Sequence, residues 1–261
     1  MQLSMGLAIG SVRAAPDGTG AWSPTDIAGL IGWYDFSDDA TTWQNTGAST
    51  PAVANNDPIG RVNNKAPSAT IHLLQGTSAA RPTLKTAYQN GRNVAQFDGV
   101  DDFLTGSNLL SGRSALTMLA VCQRVSGTAW FVDCDYSVSV SPSRGGMLYQ
   151  SNTVAAIDGR WTNTGYITSQ IATGDYAGWS LYGGRMDATR ARVMRDGSGP
   201  SATSMTGSVS AMTHLYVGRL TSAASYGNLR IGEICLYDSY LSDGDVTAWV
   251  DYARAKWDTP P

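Results

Sequence analysis

The stretch Ala80-Arg81-Pro82-Thr83-Leu84, continuing through Asn90-Gly91-Arg92 to Phe97-Asp98-Gly99-Val100-Asp101-Asp102-Phe103-Leu104, constrains the chain most. Asn93 to Phe97 alternates as a strand: Val94 and Gln96 point one way, Ala95 and Phe97 the other, giving one apolar and one mixed face. Gly99 supplies the backbone freedom of a tight acidic turn, and Asp98 and Asp101 are placed to accept the turn amides. A second short strand beginning at Phe103 predicts a hairpin about this turn. Asn90-Gly91 marks another tight turn just upstream.

Composition points the same way. Of 21 acidic residues, Glu233 is the only glutamate, so the acids are turn formers rather than helix formers. With 29 glycines and many Ser and Thr residues, the 261-residue chain reads as all-β. A hydrophobic content of 42% supports a substantial core without a disulfide scaffold. Cys122, Cys134 and Cys235 each lie in an apolar run and are expected to be buried free thiols. A net charge of −3, with arginines scattered singly, excludes the electrostatic footprint of a nucleic-acid binder. No segment approaches the length of a membrane span.

Along the chain, Trp22 to Leu30 predicts one short helix. Ser23 is its N-cap, Pro24 its first residue, Asp26 closes a shortened capping box, and Trp22 and Ile27 form a staple. Strand Ile31–Phe36 follows, with Asp35, Asp38 and Asp39 suited to turn capping or to a cation. Residues 41–80 read as a turn-rich loop. Ala115–Arg124 is a long buried strand, and Ala129–Cys134 is placed beside it. Short strands are expected at Met147–Tyr149 and Thr153–Ile157, among loops bearing Tyr136, Trp161, Tyr166, Tyr176 and Trp179. Further strands are read at 179–184, 191–197, 214–219 and 232–238. Leu241-Ser242-Asp243 caps a C-terminal helix whose apolar face is Val246, Trp249, Val250, Ala253 and Trp257. Arg254 and Lys256 suit its C-terminal dipole.

The Arg-Pro, Asn-Gly-Arg and Phe-Asp-Gly-x-Asp-Asp-Phe-Leu pattern resembles the concanavalin A-like lectin/glucanase superfamily. Together with Gly232-Glu233-Ile234 through Tyr237-Asp238, Leu241-Ser242-Asp243 and the final helix, it is most similar to the laminin G-like domains of phage structural proteins. The resemblance spans roughly residues 22–258; the Trp-x-Asp-x-Ser-Gly segment of relatives is reduced here to Trp43. It implies a two-sheet antiparallel jelly-roll sandwich over residues 21–261, with a short N-terminal helix and a C-terminal amphipathic helix. It also implies a virion location, as a fibre, spike or decoration protein adhering to host glycan. The alternatives are a structural capsid or tail protein bridging subunits and a cellular carbohydrate-binding module.

Glucanases of that superfamily pair two glutamates on one strand; Glu233 has no such partner, and no nucleophile-elbow or phosphate-loop motif occurs. No enzymatic activity and no required cofactor are therefore expected. A sugar site needs aromatics for stacking and Asp or Asn for hydroxyls. Trp161 and Asn163, with Tyr166, Tyr176 and Tyr226, are the candidates, and Asp98, Asp101 and Asp102 are the candidate calcium ligands. Residues 1–20 read as an extended docking arm. Leu3, Met5, Leu7 and Ile9 alternate with Ser4, Gly6 and Ala8 as a strand with one apolar face. Such an arm predicts docking to other virion proteins and homo-oligomerisation, with a trimer favoured.

Overall fold

The computed structural model describes residues 22–67, 71–109, 112–135, 146–151, 154–160, 166–172, 178–204, 214–220 and 225–259. The arm residues Leu3, Met5, Leu7 and Ile9, and Trp161, Asn163 and Tyr176, lie outside the described residues. The chain runs through β1 (Leu30–Asp35), β2 (Thr42–Trp43), β3 (Arg61–Val62), β4 (Leu73–Leu74), β5 (Thr83–Gln89), β6 (Arg92–Asp98), β7 (Leu104–Ser107) and β8 (Leu116–Ser126). It continues with β9 (Ala129–Asp135), β10 (Gly146–Gln150), β11 (Val154–Arg160), β12 (Tyr166–Ala172), β13 (Trp179–Met186), β14 (Arg190–Arg195) and β15 (Thr203–Ser204). The last elements are β16 (His214–Val217), β17 (Arg219–Leu220), β18 (Ser225–Tyr226), β19 (Asn228–Tyr237) and helix α1 (Asp243–Trp257).

These strands form a two-sheet antiparallel sandwich. The first sheet has the order β15-β14-β13-β8-β19-β6-β5, with β1 also paired to β19; the second has the order β12-β11-β10-β9-β16-β7-β4-β3-β2. The long apolar run of β8 is explained by its position. Leu116, Met118, Ala120 and Cys122 face the core between the sheets, while Leu119 and Val121 face the opposite way, under α1. A strand buried on both faces has no polar alternation. The inner core is filled by Phe36, Phe97, Phe131, Tyr182 and the aliphatic residues around them. All three cysteines are free and buried, as expected.

Helix α1 closes the outer face of the first sheet. The Ser242 hydroxyl accepts from the Asp245 amide at 3.1 Å, and the Ser242 amide donates back to the Asp245 carboxylate at 3.3 Å. The predicted face, Val246, Trp249, Val250, Ala253 and Trp257, is the buried one. Gly232 makes room for it: a Cβ there would lie 2.7 Å from the Trp257 ring. No helix among the described residues is long and apolar enough to cross a membrane.

Several sequence expectations are corrected. The Asp98–Asp102 turn does not close a hairpin: β6 belongs to the first sheet and β7 to the second, so the turn is an arch between sheets. The true hairpin is β5–β6, closed by Asn90 and Gly91 with φ of 49° and 70°. Likewise β9 lies across the sandwich from β8 rather than beside it, because β13 and β19 already flank β8. The predicted helix at Trp22–Leu30 is a single 3-10 turn, Pro24–Asp26, with its capping box intact. The Trp22 ring sits 5.2 Å from Tyr252 of α1 and packs on the same cluster as Ile27. Residues 41–80 are not simply a loop but supply β2, β3, β4 and the buried Ala52, Ile59 and Val62. Tyr166 opens strand β12 instead of sitting in a loop.

Candidate functional site

The arch between the sheets begins where β6 ends. Asp98 accepts the Val100 amide at 2.8 Å and the Asp101 amide at 3.3 Å, and its own amide donates to Asp102 at 3.0 Å. Gly99 takes φ of 80° and lies against β19, where a Cβ would meet that of Asn228 at 2.9 Å. The candidate ligand atoms of Asp98, Asp101 and Asp102 all fall within 4.8 Å of one another. Burial, and then the neighbouring Asp98 carboxylate, push the Asp102 pKa up to about 7. The three acids therefore converge as the sequence suggests, with turn amides already satisfying part of their capacity.

An aromatic cluster stands directly beside this turn. Phe103 follows Asp102, its amide donating to the Ala80 carbonyl and its carbonyl accepting from Gln75. Its ring lies 6.3 Å from both Tyr216 on β16 and Tyr226 on β18. The Arg219 guanidinium sits over all three, 4.7 Å from Phe103, 5.0 Å from Tyr216 and 5.6 Å from Tyr226. His214 stacks on Tyr216 at 6.0 Å. The register explains the meeting: Arg219 pairs with Tyr226 across the β17–β18 hairpin, and Asn228, two residues on, pairs with Asp98. Phe103, Tyr216, Arg219 and Tyr226 are each half-buried, leaving part of the cluster at the surface. Ring faces and edges beside carboxylates are the groups that recognise sugar C–H surfaces and hydroxyls.

Of the predicted aromatic residues, Tyr226 is thus joined to the acidic turn. Tyr166 lies at the start of β12, on the opposite flank of the second sheet. Phe103, Tyr216 and Arg219 were missed. The only signal was Phe103 within the acidic motif itself, since the ring contacts depend on pairing between distant strands.

A second polar cluster is buried. Glu233, fully inaccessible, accepts from Trp33 Nε1 at 2.5 Å, Trp257 Nε1 at 2.8 Å, Tyr252 Oη at 2.8 Å and Lys256 Nζ at 3.0 Å. Its cross-strand partner Asp35 binds the same lysine at 2.7 Å and Lys65 at 3.3 Å. Burial alone would raise the Asp35 pKa; Lys256, Ser37 and Lys65 outweigh it and hold the carboxyl below its ordinary value. The sequence left Glu233 without a partner, yet the fold sets a second carboxylate opposite it. Glu233 is covered by Trp33 and Trp257, and both carboxylates bind Lys256 of α1, so the pair ties α1 to the sheet. Asp38 binds Lys65 at 2.6 Å and caps the Ala40 amide, while Asp39 accepts from Asn93. Asp35 and Asp38 thus cap turn amides as the turn-capping reading has it, whereas Asp39 is bonded across to Asn93 of β6.

No protein-family model and no curated relative matches the chain. Solved structures do resemble it. The receptor-binding domain of botulinum neurotoxin D superposes with a TM-score of 0.61 at 12% identity, over 92% of this chain and 57% of that one. Trypanosoma rangeli sialidase in complex with sialic acid gives a TM-score of 0.56 at 13% identity, over 91% of this chain and 35% of that one. The binding domain of botulinum neurotoxin DC, solved with rat synaptotagmin II, gives 0.51 at 9% identity, over 69% and 48%. The chain spans between a third and just over half of these structures' lengths. At such identities the likeness shows the two-sheet β-sandwich fold.

Proposed function

We propose that this protein is a non-catalytic, lectin-like binding domain that recognises glycan at the end of the sandwich bearing Asp98, Asp101, Asp102, Phe103, Tyr216 and Tyr226. The observation that carries the reading is the placement of three aromatic rings and three carboxylates on adjoining segments at one half-exposed end. Rings supply stacking surfaces for sugar C–H groups, and carboxylates accept hydroxyl protons. Botulinum neurotoxin type C, whose cell entry depends on interaction with two ganglioside molecules, and Trypanosoma rangeli sialidase, solved in complex with sialic acid, share this fold, which is in keeping with the reading. The mechanism needs no cofactor. Calcium is the metal that the all-oxygen donor set of the turn would suit, and binding it would draw the Asp102 pKa down.

The resemblance of both ends of the chain to phage laminin G-like proteins supports display on a virus particle, with residues 1–20 docking other virion proteins and a trimer as the favoured assembly. A glycan array tests the binding reading. Full-length protein is expected to bind a restricted set of glycans, and Phe103→Ala and Tyr226→Ala each to weaken that binding about tenfold. An array without hits, or hits indifferent to both substitutions, would place function elsewhere, with a purely structural bridging role as the successor.

A further inference from the structure

A row of side chains crosses the outer face of the first sheet alongside α1. Cross-strand pairing sets Trp179 opposite Gln123, Gln123 opposite Arg230, Arg230 opposite Gln96, and Gln96 opposite Thr83. Directly opposed residues of antiparallel strands share a face, so the row is continuous across five strands. Its face is fixed by its neighbours, since Leu119, Val121 and Leu181 on the same side lie under the helix. The row itself holds one aromatic, two amides, a hydroxyl and a cation.

Tyr88 completes it from above. Strand β5 loses register with β6 between Lys85 and Gln89, and Ala87 takes φ of 50°. This break carries the Tyr88 ring to 4.6 Å from the Arg230 guanidinium and 6.5 Å from the Trp179 ring. Tyr88 remains 45% exposed, one of few large apolar side chains so placed among the described residues.

Arg230 is the cation of the row, and like Arg81 and Arg219 it forms no ion pair among the described residues. Arg185 and Arg192 bind Asp243, Arg190 binds Asp187, and Arg113 binds Asp238. Arg230 has no carboxylate partner among the described residues. Its Nη1 donates to Gln123 Oε1 at 2.9 Å, and its buried Nε finds no acceptor. Asp98 lies on the same face, but its carboxylate is engaged by the amides of its own turn. A half-buried guanidinium held against an exposed tyrosine ring, with no carboxylate to neutralise it, is arranged to receive an anionic oxygen.

We propose that this face is a second binding site, taking a sugar that carries a negative charge. Arg230 receives the anionic group and the exposed Tyr88 ring contacts the sugar, while the half-buried Gln96 and Gln123 border the site and the buried Trp179 backs the Tyr88 ring. The sugar identity rests on the glycan-binding reading above; the anion preference rests on Arg230 alone.

The test is a titration of full-length protein followed by the Trp179 indole NMR signal, assigned with Trp179→Phe. The probes are D-glucuronate, N-acetylneuraminate, galactose 6-sulfate, neutral D-glucose and inorganic sulfate. At least one anionic sugar is expected to shift the Trp179 signal saturably, and glucose is not. Arg230→Gln is expected to weaken that binding about tenfold or more, and Tyr88→Ala to weaken it while leaving the melting temperature unchanged. Tyr226→Ala, at the other site, is expected to leave it intact. A response to glucose as strong as to glucuronate overturns the proposal. So does an undiminished response in Arg230→Gln, an equal response to sulfate alone, or no response to any anionic sugar. These outcomes are separate from the failure of the glycan reading itself, which is measured at Phe103 and Tyr226.

Discussion

Replacing Glu233 with glutamine probes the buried network that joins helix to sheet. The substitution keeps shape but removes the charge, and it sets an amide group against a carboxylate position that now receives only donors. Trp33, Trp257, Tyr252 and Lys256 all donate to Glu233, so the new NH2 faces at least one N–H or O–H with no acceptor between them. Removing one partner of a buried ion pair costs about 3–5 kcal/mol. Lys256 retains Asp35 at 2.7 Å, which places the loss at the lower end, about 3 kcal/mol. For a domain of this size that is about 6–12 °C in melting temperature. Thermal unfolding followed by circular dichroism at neutral pH reads it directly. Combining Glu233→Gln with Lys256→Met removes one of the donors left facing the new amide and is expected to recover part of the loss. A Glu233→Gln protein melting within a degree or two of the parent would refute the reasoning, because a dispensable charge at this position cannot be what secures α1.

Trp249→Ala empties a site beneath α1 and is expected to cost about 3–5 kcal/mol, visible as a lowered melting temperature. The raised pKa of Asp102 carries a pH signature: the folded state takes up this proton before the unfolded state does, so stability rises as pH falls from about 7 to about 4. Asp102→Asn is expected to abolish that component and to stabilise the protein above pH 7, as melting curves across the range will show. Asp35 has the opposite sign: its contribution is present above the ordinary carboxylate range and is lost as pH falls through its depressed value. Deleting residues 1–18 is expected to leave the sandwich folded by circular dichroism while removing its incorporation into particles; normal copy number in particles would make the arm a bystander. The purified protein is expected to release no reducing sugar from β-glucans or bacterial surface polysaccharide, and turnover abolished in Asp102→Asn would overturn the non-catalytic reading.

Features decided by neighbouring residues were legible in the sequence. The face of α1 follows from side chains three and four positions apart, and its start from Ser242 and Asp245 satisfying each other's amides. The Asn90–Gly91 hairpin follows from two residues able to adopt positive φ. The unbroken apolar run of β8 and the three buried cysteines required only hydrophobicity. What the tertiary structure alone decided involves partners far apart in the chain. The acidic turn carries the same local bonds whether it closes a hairpin or arches between sheets, and only the pairing of β6 with β19 and of β7 with β16 selects the arch. Glu233 looked solitary because its carboxylate neighbour, Asp35, lies almost the whole length of the sandwich away in sequence, brought opposite it by β1. Phe103, Tyr216, Arg219 and Tyr226 likewise come from three separate segments. Local hydrogen bonds and side-chain periodicity are written in consecutive residues; strand partners are chosen by burial of the whole sheet, which no short stretch of sequence contains.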